Sequence, residues 1–250
     1  MVRAGGKSGT ALVVGALFLT GWNGPGANAA MAQTGTAERR AAIDARLSRI
    51  EAIKAIERLQ YAYGYYQDRF FFAEVASLFA GKNPTVQWGD AIWTGQPAVR
   101  RFWMEYMRPA IAGGASGPVA GKLFDLPQWQ GVITIDADGR GASARFNSIG
   151  RYAVYREKEY WISGFYQNRY ALEDGVWKIR TLKFCPNWSA PYTAGWRDIS
   201  ERDASAWMPP IPRSAKPTRA ASATDRCPTP YPGNRQVTFD FDDPAQGGRP

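Results

Sequence analysis

A chain of 250 residues with 45% apolar side chains has enough material for one sizeable core, and its length does not require a second domain. The formal charge is +9, but no lysine- or arginine-rich run and no zinc-ligand spacing goes with it. This argues against nucleic acid as a partner and leaves mild attraction of anionic small molecules or of a membrane surface. Histidine is absent from the whole sequence, which excludes His-based triads, His-ligated zinc and imidazole general bases.

Residues 1–32 read as a leader segment. Arg3 and Lys7 form a basic start, Thr10 to Trp22 supply an apolar stretch, and Ala27-Asn28-Ala29 and Ala30-Met31-Ala32 are two small-residue cleavage patterns. The apolar stretch is short for a membrane span, which takes about 20 residues. The expectation is an exported, periplasmic protein with no stable membrane span.

From Glu38 the pattern is helical. Ile43, Leu47, Ile50, Ile53, Ile56, Leu59 and Tyr63 recur at spacings of three and four, opposite a face that carries Arg46, Arg49, Lys54 and Arg58. A second helix is expected over 71–79, and a third from Pro97 with Val99, Phe102, Trp103 and Tyr106 on its apolar side. A short strand over 85–89 separates them. Strand signals then dominate, over 132–136, 142–155, 161–172 and 176–184, with turns at Asp136 to Gly139 and at Glu173-Asp174-Gly175. Helices ahead of an antiparallel sheet indicate an α+β domain over 38–199, not a doubly wound parallel fold.

Past residue 199 the periodicity stops, and nine of the 17 prolines fall in 200–250. That composition predicts an irregular tail wrapped on the domain rather than a second domain. In an exported protein, Cys185 and Cys227 read equally as one bridge pinning this tail or as two separate thiols.

Particular residues carry a resemblance. Leu59-Gln60-Tyr61-Ala62-Tyr63, Asp68 and Glu74-Val75 to Leu78-Phe79 resemble the opening of SnoaL-like proteins, and Gln87-Trp88-Gly89 with Gly95 the strand that follows. Tyr166, Asn168, Asp174-Gly175-Val176-Trp177-Lys178-Ile179, Leu182, Pro186, Ala190-Pro191-Tyr192 and Gly195-Trp196 continue it, so that it covers about residues 43–197. The resemblance implies the cone-shaped fold of the nuclear transport factor 2 superfamily: a curved antiparallel sheet on three N-terminal helices, around a deep pocket. It also implies a homo-oligomer, a dimer or trimer formed through the outer sheet face. Its members include dehydratases, isomerases, dehydrochlorinases, lignin-dimer formaldehyde lyases and non-catalytic binding domains, so function rests on the site.

The spacing of Tyr63 and Asp68 resembles the catalytic pair of SnoaL-like dehydratases, in which a phenol contacts a substrate oxygen and a carboxylate handles a proton. The same two residues read alternatively as core packing and a helix cap. Lys183 stands where the family pattern often has histidine, and a lysine cation suits an alkoxide or phenolate better than it suits proton abstraction. Arg145 and Asn147 share one strand face, and Tyr166 and Asn168 another; if these faces look inward, they add a guanidinium, amides and a phenol. Trp88, Trp93, Trp103 and Trp129 are candidate walls for a small hydrophobic or aromatic substrate. No cofactor or metal motif is present. The function expected is a cofactor-independent lyase, a dehydratase or a formaldehyde-releasing enzyme, acting on a bulky aromatic or alicyclic alcohol such as a lignin-derived dimer. A ketosteroid-type isomerase and a non-catalytic periplasmic binding protein are the alternatives.

Overall fold

The structure, a computed structural model, describes residues 25–233, with side chains from residue 36 onward. The basic and apolar parts of the expected leader lie outside the described residues. The chain divides into two units, residues 1–45 and 46–250, and every contact below belongs to the second.

Helix α1 (Pro25–Asp68) buries one stripe at steps of four, three and four: Ile56, Gln60, Tyr63 and Gln67. Its apolar pattern starts earlier than its packing. Ile43, Leu47 and Ile50 are 56%, 52% and 57% exposed, so periodicity marks a face without saying what covers it. The helix ends in a Schellman turn: Phe71 N–H donates to the Tyr66 carbonyl and Phe70 N–H to that of Gln67. Phe70 takes the left-handed position (φ 64°) that glycine usually holds. Burial of its ring against Phe72 at 6.3 Å offsets a backbone cost of about 1–2 kcal/mol. Asp68 is fixed at this last turn.

Helix α2 (Phe72–Ser77) follows, then strands β1 (Thr85–Trp88) and β2 (Ala91–Thr94). Helix α3 (Gln96–Arg101) runs through a π-helical turn at Phe102–Met107 into α4 (Arg108–Ala112). The π turn buries Phe102, Trp103, Tyr106 and Met107. Strands β3 (Lys122–Asp125), β4 (Gln128–Ile135), β5 (Gly141–Val154), β6 (Lys158–Glu173) and β7 (Val176–Pro191) complete the domain, and β8 (Arg219–Ala220) comes from the tail.

Among the described residues these strands form one curved, unclosed sheet in the order β3-β5-β6-β7-β1-β2-β8, with β4 beside β3 on the same edge of β5. The fold is α+β as expected, but the sheet is mixed, because β1 pairs parallel with β7. Along β5 and β6 the inward residues are Ala142, Ala144, Phe146, Ser148 and Tyr152, and Ile162, Tyr166, Asn168 and Tyr170. A side chain at Gly164 would meet the Phe184 ring at 2.5 Å, and its absence lets that ring lie across β6 beside Tyr166.

The tail belongs to the same unit. Residues 201–205 and 213–215 form two 3-10 turns, β8 pairs with β2, and Ala215 and Trp207 are buried. Cys185 and Cys227 form a disulfide, which decides between the two readings of these residues.

Candidate functional site

Five buried or half-buried groups meet between the end of α1, the π turn and the inner face of β6. Tyr63 donates its hydroxyl hydrogen to Gln67 Oε1, and the hydroxyl oxygens of Tyr63 and Tyr166 lie 3.4 Å apart. The Trp103 ring stands edge-on to Tyr63, with centroids 5.9 Å apart. Asp68 is half-buried and accepts the Leu126 N–H at 3.0 Å.

The low-dielectric setting separates the acids. Burial, countered in part by the Leu126 hydrogen bond, raises the Asp68 carboxyl to about 6. Burial also pushes the Tyr63 and Tyr166 phenols well above their usual range, with a smaller contribution in the same direction from the Asp68 charge. At neutral pH the site therefore holds an ionised carboxylate of raised basicity beside two protonated phenols. Two buried N–H donors belong to residues of this cluster. Gln67 Nε2 and Trp103 Nε1 are buried and make no hydrogen bond within the described residues. A buried donor left unmet costs about 1–3 kcal/mol, a cost that a ligand oxygen or a water would remove.

Behind this cluster lies a second polar layer. Gln60 Oε1 accepts from Tyr170 at 2.6 Å and from Asn168 Nδ2 at 3.0 Å, while Gln60 Nε2 donates to Gln128 Oε1 at 3.3 Å. Asn168 Oδ1 accepts the Lys183 backbone N–H at 3.2 Å. Every member here has a partner, so the layer fixes the register between α1 and β6.

The candidate residues separate sharply. Tyr63, Asp68, Tyr166 and Trp103 come together, and Asn168 stands just behind them. Trp88 joins through Phe184, stacked on it at 4.4 Å, which in turn lies 5.0 Å from Tyr166. Trp93 packs one layer further out, against Phe102 at 4.6 Å, and its N–H is taken by the Ala215 carbonyl.

Four others do not join the site. Lys183 and Arg145 alternate with the inward Phe184 and Phe146 and so point to the opposite sheet face. There Lys183 Nζ donates to the Asp225 carbonyl at 2.8 Å, and the Arg145 guanidinium lies 5.3 Å over the Phe165 ring. Asn147 and Trp129 are register partners on that same face; Asn147 bonds Gln130, and Trp129 is 42% exposed. The cation expected from Lys183 or Arg145 is replaced at the site by neutral donors. Gln60 and Gln67 were not anticipated, yet they sit three residues before and four after Tyr63, on its own helix face.

Comparison with known proteins agrees with the fold. The model of the SnoaL-like domain matches residues 48–183, more than half of the chain. The chain belongs to the SnoaL-like domain family. No curated protein is similar enough to match. Among solved structures, a type 2 hexachlorocyclohexane dehydrochlorinase (LinA) is 16% identical, with a TM-score of 0.50 over 62% of this chain and 97% of its own. LinA-type3 from Novosphingobium barchaimii LL02 gives the same identity, score and coverage of this chain, over 99% of its own. At this identity the likeness shows the nuclear transport factor 2-like fold alone. The SnoaL-like span holds Tyr63, Asp68, Gln67, Trp103 and Tyr166, but it ends before the tail that packs on it.

Proposed function

We propose that this SnoaL-like protein is a cofactor-independent lyase that removes water or a small fragment from a bulky aromatic or alicyclic alcohol. The observation that carries the reading is the placement of the half-buried Asp68 carboxyl at the last turn of α1, close enough for its charge to act on two buried phenols whose hydroxyls lie 3.4 Å apart; burial raising that carboxyl to about 6 agrees with it. Family membership and the fold shared with dehydrochlorinases agree with elimination chemistry.

In a dehydration, Asp68 takes the proton from the carbon next to the carbinol carbon as the carbon–carbon double bond forms and the carbon–oxygen bond breaks. The departing hydroxide gains a proton from Tyr63 or Tyr166 and leaves as water, and the proton held by Asp68 then restores the phenol. Gln67 and Trp103 donate hydrogen bonds to oxygen as it gathers charge. Neutral donors suffice in a buried site, where each hydrogen bond is worth more than in water.

Two variants test this. Asp68→Asn keeps an acceptor for the Leu126 N–H but cannot take a proton, and turnover should fall about 10²–10⁴-fold. Tyr63→Phe should lower it by about tenfold or more. Unchanged turnover of a confirmed substrate in both variants would end the lyase assignment. The paired phenols also suit a carbonyl oxygen that becomes an enolate, as in a ketosteroid-type isomerase. A product of the same mass as its substrate would select that reading.

A further inference from the structure

One ring of the aromatic core next to this site comes from outside the SnoaL-like span. Trp207 belongs to the tail, beyond the last residue matched by the family model, and only 2% of it is exposed. Its indole stacks on Phe124 at 5.7 Å, meets Tyr152 at 5.6 Å and approaches Trp88 edge-on at 6.4 Å.

Two of these neighbours lead straight to the catalytic groups. Phe124 and Leu126 are both buried, and the Leu126 N–H is the donor to Asp68. Leu126 follows Phe124 by two positions, so the ring that meets the indole and the N–H that holds the carboxylate belong to one short stretch of chain. Along the other route, Trp88 stacks on Phe184, Phe184 packs on Tyr166, and Tyr166 meets Tyr63 with ring centroids 5.7 Å apart.

One ring partner of Trp207 also borders an opening. Tyr152 and Pro209 help line a surface cavity of about 600 Å³, whose rim also carries Lys122 and Lys158. Tyr152 is thus shared between this cavity and the ring cluster around the indole. The tail is fastened on both sides of it. Ahead, the Asp203 carbonyl accepts from Ser189. Behind, Pro209 accepts from Tyr106 at 2.8 Å, Ala215 accepts from Trp93 at 2.8 Å, and Cys227 is bridged to Cys185.

We infer that Trp207 is a specificity-determining residue that sets how large a ring system the Tyr63–Asp68 site accepts. The inference rests on the proposed site, with the tail supplying its end wall. Shortening this side chain would leave a space bordered by Phe124, Tyr152 and Trp88, an aromatic lining that accepts a further ring.

The test is a binding series on the full chain with phenol, 2-naphthol and 1-hydroxypyrene, comparing wild type with Trp207→Ala and Trp207→Phe. In Trp207→Ala the Kd of 1-hydroxypyrene should fall at least tenfold relative to that of phenol, and Trp207→Phe should shift the ratio the same way by about threefold. General loosening of the fold weakens all three ligands together and leaves the ratio unmoved, so an unchanged ratio in both variants overturns the inference. If Trp207→Ala does not fold, Trp207→Phe and Trp207→Leu decide it by the same ratio. Binding needs no turnover, which separates the two claims. A shifted ratio with turnover untouched in both Asp68→Asn and Tyr63→Phe rejects the lyase and keeps the wall; the converse rejects the wall and keeps the lyase.

Discussion

Asp68 holds its proton more tightly in the folded chain than in the unfolded one, because burial raises it from 3.8 to about 6. Between these values the folded state binds more protons, so ionising Asp68 costs stability as pH rises from about 4 to 6. The contribution is fully present below pH 4 and lost above pH 6. The same ionisation creates the base. Activity should therefore climb with an apparent pKa near 6 while this group's share of the melting temperature declines over the same interval. Asp68→Asn removes both trends: the rate loses its rise, and the variant melts at or above wild type at pH 7 while falling behind it at pH 4. Rate and thermal-melt profiles over pH 4–8 check this. A wild-type rate that is flat through pH 6 would remove Asp68 as the base.

Helix α1 and strand β6 meet through a polar layer rather than an apolar one, and Gln60 is its hub. Gln60→Leu fills the space but takes away the acceptor of Tyr170 O–H and of one Asn168 N–H. Leaving such groups unmet should cost about 2–4 kcal/mol, read as a lower urea midpoint at an unchanged slope. A midpoint equal to wild type would show that water replaces the glutamine at no cost. This element also shows where sequence reading stops. The helix and the strand pairs around Asp136 to Gly139 and Glu173 to Gly175 are local in sequence and legible there, as is the spacing that sets Tyr63 and Asp68 near one another, whereas their role is not. Nothing local marks Gln60 and Gln67 as site residues: glutamine on a helix is ordinarily solvated, and their burial depends on partners more than 60 residues away, among them Gln128, Asn168 and Tyr170 for Gln60. The facing of Arg145 and Lys183 stays open in the sequence for a related reason. Alternation tells which strand residues share a face, but which face looks inward depends on what packs there. The parallel β1–β7 pair and the strand within the tail are likewise products of tertiary contact, and no local pattern announces them.

At the scale of the molecule, the tail is part of the folded unit although its composition reads as irregular. Its grip is distributed over β8, the Trp93 and Tyr106 hydrogen bonds and the Lys183 contact with Asp225, and one covalent link closes the circuit between Cys185 and Cys227. The closed loop spans 42 positions, for which chain entropy alone gives about 4 kcal/mol of stabilisation. The oxidising compartment proposed from the leader segment is the setting in which such a bridge persists. Cys227→Ser, or reduction of the wild type, should cost about 2–4 kcal/mol. The loss should not be uniform, because β6 and β7 pair along their whole length without the tail, whereas β8 rests on only two residues of β2. Limited proteolysis after reduction should therefore cut within 209–233 and leave a resistant fragment that retains β7. Trp207 lies just ahead of that segment, so loosening it should also move the reduced protein toward the larger-ligand preference expected of Trp207→Ala. A reduced tail that stays protease-resistant would mean that the non-covalent contacts hold it unaided and that the disulfide is not the latch.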